Sequence, residues 1–324
     1  MTPTMLRSRF LEGFAAMARC FVTREIPGAA VARLAAEHDV EVWSERLPPT
    51  REELRERAAG VEGLLCMLTD PVDRELFEAA PSLRAVSTYA VGTDNIDLAA
   101  ASERGVPVGH TPDVLTETSA DLALALMLAV MRRIPEGDAE VRAGEWLTWE
   151  PARLLGHDLH RATVGIVGLG RIGQAVKRRV EGFGADVRHA GRTDGVPIEE
   201  LLERSTVVTL HCPLTDQTRG LIDADALRRM RDDAYLVNTA RGPVVDTDAL
   251  GQALEQGWIA GAALDVTDPE PLPVDHPLLT APNLVVAPHL GSASHETRAE
   301  MADIAVDNLL AGLRGEPMPH QANR

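Results

Sequence analysis

A short apolar run that leads into three spaced glycines constrains the fold more than any other feature of this sequence. The run spans residues 163–167, and the glycines of segment 168–173 follow at GxGxxG spacing before an amphipathic stretch. In such a strand–turn–helix unit the glycines permit a tight turn, close approach of backbone to a pyrophosphate, and close packing of helix on strand. The sequence therefore predicts a parallel α/β domain that binds a dinucleotide at a helix N-terminus. The predicted contacts are Gly168, Gly170, Arg171, Ile172 and Gly173.

The rest of the chain alternates strand-like runs with helical patterns, which is typical of βαβ units. The first series of strand-like runs is 20–23, 40–43, 63–67, 85–88 and 106–108. The second series is 163–167, 186–190, 207–210, 235–238, 259–264 and 284–287. Between them we expect a nearly all-apolar helix from Thr116 to Met131, with capping groups at residues 116–119, and we expect a final helix near 294–313. The predicted fold class is α/β, with two doubly wound parallel-sheet domains.

The order of these elements predicts a nucleotide-binding domain inserted into a second domain. Residues 116–292 are expected to form an NAD(P)-binding Rossmann domain with dimerisation helices. Residues 17–115 and 293–324 are expected to form a flavodoxin-like substrate domain, with the cofactor cleft between the two. Residues 1–16 carry no clear period and are expected to be an N-terminal appendage, with Met17 as an alternative start.

Composition excludes several classes of partner. The formal net charge of −17 opposes binding to nucleic acid or to an anionic membrane, because those partners need a clustered positive field. No run of about 18 apolar residues is present, so no membrane span is expected. Cys20, Cys66 and Cys212 lack the spacing of a metal site or a disulfide framework, which favours a reducing cytoplasm and no bound metal.

The residues after the second strand of the nucleotide domain bear on the choice of dinucleotide. A carboxylate there would bind the ribose 2′-OH of NAD, but this chain has Gly191, Arg192 and Thr193. An arginine pairs with a 2′-phosphate, so NADP(H) is favoured over NAD(H), the alternative being a solvated loop arginine. Asp194 follows and offers a ribose contact, which leaves use of NAD(H) open.

Several motifs resemble the D-isomer-specific 2-hydroxyacid dehydrogenases. They lie at 238–242 (NTARG), 264–271 (LDVTDPEP) and 288–292 (PHLGS). Within that family the chain most resembles glyoxylate/hydroxypyruvate reductases, in segments 90–97, 111–116, 146–149 and 309–319. The resemblance extends from about Arg19 to Pro319. It implies NAD(P)H-dependent reduction of small 2-keto acids, glyoxylate to glycolate or hydroxypyruvate to D-glycerate, by a homodimer built on the nucleotide domain.

The resemblance also implies a catalytic set of three residues. His289 would donate the proton, because hydride delivery to a carbonyl carbon builds negative charge on oxygen and histidine titrates near neutral pH. Glu270 would fix the imidazole, and Arg241 would bind the substrate carboxylate and polarise the keto oxygen. Each residue alone also has a purely structural interpretation. Their joint placement after successive strand ends, where open α/β sheets bind ligands, favours a site.

Further contacts are carried over from the same resemblance. Val91 and Gly92 would offer backbone N–H groups to the substrate carboxylate, a simple turn being the alternative. The predicted cofactor contacts are Pro213 on the adenosine side, Thr239 and Ala240 through backbone, Asp265 at the nicotinamide carboxamide, and Gly291 beside the ring. Trp149 would reach the substrate pocket of the neighbouring subunit, with ordinary packing as the alternative.

Two other functions share this resemblance. One is a 3-phosphoglycerate dehydrogenase or another D-2-hydroxyacid dehydrogenase. Some 3-phosphoglycerate dehydrogenases carry a long C-terminal regulatory extension, which this sequence lacks. The other is a dinucleotide-sensing interaction protein like the C-terminal-binding corepressors, which share the fold and the catalytic set. Activity on a panel of keto acids would distinguish these alternatives.

Overall fold

The computed structural model describes residues 17–323, and the predicted appendage at 1–16 lies outside them. The described chain forms two compact units. Unit 1 comprises the residues up to Val114 together with those from Ser294 onward, and unit 2 is Leu115–Ala293.

Unit 1 is a five-stranded parallel sheet with helices on both faces. Its strands are β1 (Arg19–Val22), β2 (Asp39–Val42), β3 (Gly63–Cys66), β4 (Ala85–Thr88) and β5 (Val108–Gly109). Its helices are α1 (Ala30–Glu37), α2 (Arg51–Ala58), α3 (Arg74–Ala79), α4 (Leu98–Glu103) and, at the chain end, α11 (His295–Arg314). The strand order β2-β1-β3-β4-β5 is that of flavodoxin-like sheets. Strands β3 and β4 are buried along their whole length, as central strands of a parallel sheet are, and β3 is accordingly apolar.

Short polar side chains determine where several helices of unit 1 begin. Thr50 accepts a hydrogen bond from the backbone N–H of Glu53, whose carboxylate accepts from the backbone of Thr50 in return. Asp73 and Asp97 cap α3 and α4 by accepting from the backbone N–H groups of Leu76 and Ala100. Ser294 caps α11, the helix that packs against β3 and β4. Each cap satisfies an N–H group that has no partner within its helix.

Unit 2 is a six-stranded parallel sheet covered by a hydrophobic cluster on each face. Its strands are β6 (Thr163–Val167), β7 (Asp186–Ala190), β8 (Val207–Leu210), β9 (Tyr235–Asn238), β10 (Gly261–Leu264) and β11 (Leu284–Val286). Its helices are α5 (Thr116–Met131), α6 (Ile134–Arg142), α7 (Arg171–Gly182), α8 (Ile198–Arg204), α9 (Ala224–Arg229) and α10 (Thr247–Glu255). The strand order is β11-β10-β9-β8-β6-β7, with the glycine turn after the inner strand β6.

The apolar helix α5 packs on the sheet of unit 2. Ala123, Met127 and Val130 are fully buried, and the helix contacts α7, β9 and β10. Leu124 and Leu128 are only half-buried, so one side of α5 stays partly open. No helix within residues 17–323, α5 included, is long and apolar enough to span a bilayer.

The predicted fold class of two parallel α/β sheets is confirmed, and the differences are local. Helix α5 begins at Thr116, but its N-cap is Leu115, which makes no side-chain cap hydrogen bond, so the predicted polar cap does not start the helix. Strand β5 is displaced to Val108–Gly109 because only these residues pair with β4. Helix α6 was not predicted. Its Pro135 lies in the first turn, where the missing N–H costs nothing.

Candidate functional site

The predicted catalytic residues follow three neighbouring strands of unit 2. Arg241 follows β9, Glu270 follows β10 and His289 follows β11, and these strands are adjacent and parallel. Their carboxyl ends therefore lie at one edge of the sheet, where α/β proteins bind ligands. Backbone pairing continues past the strands there. The N–H of Asp265 donates to the carbonyl of Asn238 at 2.9 Å, and the N–H of His289 donates to the carbonyl of Asp265 at 2.9 Å.

His289 and Glu270 form a close pair. His289 Nδ1 lies 2.6 Å from Glu270 Oε1, within the range of a charge-assisted hydrogen bond. Because Nδ1 faces the carboxylate, Nε2 is the ring nitrogen left for another partner. The backbone of His289 has φ of 54°, a left-handed conformation that few non-glycine residues adopt. The pair can hold the imidazole in one orientation.

Asp265 fixes the backbone of the loop that carries His289. Its Oδ1 accepts from the N–H of Leu290 at 2.6 Å, and its Oδ2 accepts from the N–H of Gly291 at 2.8 Å. Burial raises the pKa of this carboxyl, whereas the two N–H groups and the nearby His289 favour its charged form. The sequence did not suggest this structural role. A contact between Asp265 and a nicotinamide carboxamide stays a prediction.

Asn238 and Gly242 shape the turn that presents Arg241. The buried Asn238 side chain accepts from the N–H of Ala240 at 3.0 Å and donates to the carbonyl of Arg241 at 2.9 Å. A Cβ on Gly242 would collide with the carbonyl of Thr267, so only glycine lets the turn after β9 approach the loop after β10. Sequence reasoning missed Asn238. An asparagine that ends an otherwise apolar strand was the available signal, since buried amides need partners.

The glycine turn after β6 has the geometry that a dinucleotide requires. Gly168 has φ of 92°, and a Cβ there would lie 2.8 Å from the backbone nitrogen of Cys212. A Cβ on Gly173 would collide with the carbonyl of Gly168. A Cβ on Gly170 would meet nothing within 4 Å, so the open side of the turn lies at the N-cap of α7. This arrangement fits a pyrophosphate bound at the helix N-terminus.

His211 follows β8 at the same edge of the sheet. Its Nε2 is 2.9 Å from Thr209 Oγ1, and its Nδ1 is 3.5 Å from Thr239 Oγ1. Burial lowers the pKa of His211 to about 4, so the imidazole is neutral near pH 7. The exposed Pro213 follows, and its carbonyl accepts from Thr218 Oγ1 at 2.6 Å. Sequence reasoning included Pro213 and Thr239 but not the histidine that lies between β8 and Pro213.

The residues predicted for cofactor choice lie in a tight hairpin after β7, residues 190–195. Ala190 and Gly195 form an antiparallel bridge, and the N–H of Gly191 donates to the carbonyl of Asp194 at 2.9 Å. Arg192 and Thr193 are exposed at the tip. The hairpin thus presents a guanidinium, a hydroxyl and backbone N–H groups to solvent.

In unit 1, Val91 and Gly92 follow the carboxyl end of β4 in a loop that is held from two sides. Tyr89 donates its hydroxyl to the carbonyl of Arg298 at 2.5 Å, and burial raises the pKa of Tyr89 to about 12, so it stays a donor. His110 Nδ1 lies 3.0 Å from the carbonyl of Val91. A carbonyl only accepts, so Nδ1 is the donor in this contact.

A buried carboxyl group, that of Asp70, lies in unit 1 next to a residue of the loop that contains Val91. Asp70 has no exposed surface, and its Oδ2 accepts from Thr23 Oγ1 at 2.5 Å and from the N–H of Met67 at 2.7 Å. Asn95, at the far end of the loop that contains Val91, donates to the carbonyls of Met67 and Asp70. Burial raises the pKa of Asp70 despite these donors.

Trp149 lies elsewhere, in the segment between α6 and β6. Its side chain is 78% exposed, and the adjacent Leu147 is 88% exposed. Trp146 and Trp149 line a surface cavity of about 300 Å³ together with Val141. Within residues 17–323, no group of three His, Cys, Asp or Glu side chains is placed to hold a metal ion.

The two parallel sheets, the glycine turn and the histidine–carboxylate pair define a dinucleotide-dependent oxidoreductase of the α/β class. The model for "D-isomer specific 2-hydroxyacid dehydrogenase, NAD binding domain" matches residues 124–291. The chain belongs to this family of D-2-hydroxyacid dehydrogenases. The predicted resemblance is therefore confirmed at the level of the family.

Relatives match the chain along nearly its whole length. A glyoxylate reductase of Korarchaeum cryptofilum is 48% identical over 318 residues, which cover 94% of this chain and 96% of the relative. The human glyoxylate reductase/hydroxypyruvate reductase is 46% identical over 319 residues, which cover 94% and 97%. Among solved structures, an NADPH-dependent glyoxylate/hydroxypyruvate reductase of Sinorhizobium meliloti, in complex with NADP and malonate, matches with a TM-score of 0.85 at 34% identity, covering 95% and 97%.

Replacement of Asp70 by asparagine should change how stability depends on pH. The folded-state pKa of Asp70 is raised, so the stability that its neutral carboxyl contributes is present below the unfolded pKa of about 3.9 and is lost as pH rises through the folded value. An asparagine at this position would keep an oxygen for Thr23 and Met67 and cannot ionise. In thermal unfolding we expect the Tm of Asp70→Asn minus the Tm of the wild type to increase as the pH is raised from about 4 to about 8. A relative Tm that falls over this range contradicts the argument, and the exposed Asp232→Asn change is the control.

Proposed function

We propose that this chain reduces small 2-keto acids with NAD(P)H, glyoxylate and hydroxypyruvate foremost, and that it prefers NADP(H). The observation that carries the proposal is the 2.6 Å contact between His289 Nδ1 and Glu270 Oε1 at the carboxyl edge of the nucleotide-binding sheet. Relatives that bear the names glyoxylate reductase and glyoxylate reductase/hydroxypyruvate reductase, at 48% and 46% identity, support the substrate class.

The reduction needs a hydride, which bound NAD(P)H supplies, and a proton. His289 donates the proton from Nε2 to the keto oxygen, which gives the 2-hydroxy acid: glycolate from glyoxylate, D-glycerate from hydroxypyruvate. Glu270 accepts the hydrogen bond from Nδ1, which orients the ring so that Nε2 is the nitrogen that donates the proton. Asp265 fixes the loop of His289 through the N–H groups of Leu290 and Gly291.

The acidic charge of the protein as a whole does not attract an anionic substrate. The chain carries a formal charge of −17, so a keto acid anion has to be held by local donors. In this proposal Arg241 binds the carboxylate and polarises the keto oxygen, a planar geometry that lysine does not reproduce. Val91 and Gly92 add backbone N–H groups. Residues 17–115 and 293–324 accordingly serve as the substrate domain, and residues 116–292 serve as the NAD(P)-binding domain.

Loss of either member of the histidine–carboxylate pair should reduce turnover without loss of cofactor binding. We expect His289→Ala to lower kcat by about 10²- to 10⁴-fold, the usual contribution of a general acid, and Glu270→Gln to lower it by a smaller factor. NADPH binding, measured by fluorescence titration, should be nearly unchanged in both. His295→Ala, at the exposed start of α11, is the control. Wild-type turnover in His289→Ala would reject the assignment.

The same assay, which measures NADPH oxidation, is run with four substrates: glyoxylate, hydroxypyruvate, pyruvate and phosphohydroxypyruvate. The proposal requires the highest kcat/KM with glyoxylate or hydroxypyruvate. A preference for phosphohydroxypyruvate would instead indicate a 3-phosphoglycerate dehydrogenase. No turnover with any of the four acids would indicate a dinucleotide-sensing interaction protein.

The preference for NADP(H) depends on Arg192. A guanidinium bound to a phosphate contributes charge-assisted hydrogen bonds, so we expect Arg192→Ala to lower kcat/KM for NADPH by roughly tenfold to a hundredfold and to affect NADH far less. Arg188→Ala, on the adjacent strand β7, is the matched control because Arg188 already lies 3.5 Å from Glu200. Equal losses with NADPH and NADH in Arg192→Ala would refute the 2′-phosphate contact.

The proposal includes a homodimer that buries the apolar arm, which we define as residues 134–155. Its exposed apolar side chains are Ile134, Val141, Trp146, Leu147, Trp149 and Leu155. Exposed apolar patches of this kind mark protein interfaces. A second copy of the chain would cover the arm and bring Trp149 to the partner's substrate pocket.

Substitution of Trp149 tests its reach across the dimer. If Trp149 lines the partner's pocket, Trp149→Ala should raise KM for hydroxypyruvate or alter the substrate range while the dimer persists in sedimentation equilibrium. Leu147→Ser, two positions away on the same arm, is the control for a general weakening of the interface. Unchanged hydroxypyruvate kinetics and substrate range in Trp149→Ala would show that the pocket role is wrong.

A cytoplasmic location is also part of the proposal. Cys20, Cys66 and Cys212 are all free and buried, a pattern that favours a reducing compartment. Burial raises the pKa of Cys20 to about 12, so this thiol stays protonated and unreactive.

A further inference from the structure

The hairpin after β7, residues 190–195, holds a carboxylate next to the arginine proposed for the 2′-phosphate. The hairpin is closed by hydrogen bonds from the N–H of Gly191 to the carbonyl of Asp194 and from the N–H of Val196 to the carbonyl of His189, both 2.9 Å. Gly195 has φ of 95°, and a Cβ there would collide with the carbonyl of His189. The backbone therefore fixes which side chains the hairpin presents.

Asp194 faces His189 rather than Arg192. Asp194 Oδ2 lies 3.4 Å from His189 Nε2, with the two side chains 62% and 30% exposed. A Cβ on Gly191 would lie only 2.5 Å from Asp194 Oδ1, so glycine at 191 makes room for this carboxylate position. Within residues 17–323, Arg192 forms no ion pair and no side-chain hydrogen bond. The hairpin thus separates its acid from its guanidinium.

Glu200, on the helix α8 that packs on β7, is already paired with two arginines. Glu200 lies 3.5 Å from Arg188 and 3.4 Å from Arg204. Asp194 is the acid of this hairpin. Its position therefore determines whether a ribose or a phosphate bound there has a carboxylate beside it. A carboxylate that reaches the ribose diol accepts from the 2′-OH and repels a 2′-phosphate, whereas an unpaired arginine attracts the phosphate.

We propose that His189 and Asp194 set the cofactor preference of this chain. His189 retains the Asp194 carboxylate on the far side of the hairpin, which leaves Arg192 for the 2′-phosphate of NADP(H). Without His189 the carboxylate is released toward the ribose site, where it favours NAD(H) and opposes NADP(H). The inference rests on the proposed function and deepens it, because it names the residues that decide how strictly NADP(H) is preferred.

The test is a double-mutant cycle on the ratio of kcat/KM for NADPH to kcat/KM for NADH, measured with glyoxylate. His189→Leu removes the partner of Asp194 and should lower the ratio by roughly five- to tenfold, the effect of one partly exposed charge beside a phosphate. Asp194→Asn should keep the ratio at the wild-type value or raise it. The double variant should regain at least the wild-type ratio, because no carboxylate is left to release.

A merely structural role of His189 predicts a different outcome. Distortion of the hairpin would lower kcat/KM for both cofactors together, and Asp194→Asn would not rescue it. An unchanged ratio in His189→Leu, or a lowered ratio that persists in the double variant, overturns the inference. Thermal unfolding of each variant separates these outcomes from a loss of fold.

Arg192→Ala, assayed in parallel, distinguishes the two levels of the proposal. If Arg192→Ala selectively weakens NADPH use but His189→Leu leaves the ratio unchanged, only the inference about His189 and Asp194 fails. If Arg192→Ala affects NADPH and NADH equally, the assignment of the 2′-phosphate site itself fails. Arg188→Ala controls for the loss of one positive charge from the same region.

Discussion

The candidate site depends on the continued backbone pairing beyond the ends of β9, β10 and β11. Hydrogen bonds from Asp265 N–H to the Asn238 carbonyl and from His289 N–H to the Asp265 carbonyl, both 2.9 Å, hold the three loops in register after the strands have ended. A side chain placed on a loop is usually mobile, yet a catalytic group needs its position fixed closely. Here the loops begin as extensions of the sheet, so His289 is positioned by a buried scaffold.

Two buried polar side chains fix the conformation of the loops that carry Arg241 and His289. Asn238 satisfies the backbone of Ala240 and Arg241, and Asp265 satisfies Leu290 and Gly291. Neither role could be predicted from the sequence pattern. Periodicity distinguishes buried from exposed positions, but it does not indicate which backbone N–H group an amide or a carboxylate will bind. The strands, the glycine turn and the family motifs could be predicted, since each depends on local spacing. The partners of Asn238 and of Asp265 depend on loops distant in sequence.

The glycines show where local sequence determines the site and where tertiary packing does. Gly168 needs a positive φ, a property that the GxGxxG spacing already implies. Gly242 is required for another reason: a Cβ would collide with the carbonyl of Thr267, which belongs to the loop after the next strand. Helix α6 was not predicted because a proline such as Pro135 usually indicates the end of a helix, and only its position in the first turn makes it compatible with one.

Electrostatics explains how an acidic chain accommodates anionic ligands. Exposed charges farther away than about 8 to 10 Å are largely screened at physiological salt, so the net charge of −17 acts weakly at any one site. What a phosphate or carboxylate meets is then set by the few groups within contact distance. At the sheet edge His211, with its pKa lowered to about 4, contributes no charge, and Asp265 directs both oxygens at backbone N–H groups. At the hairpin Asp194 faces His189, 3.4 Å away. In each place the ionisable side chains near the predicted ligand contact other protein groups or carry no charge. In our proposal the anions are therefore recognised by Arg192, Arg241 and the N-terminus of α7.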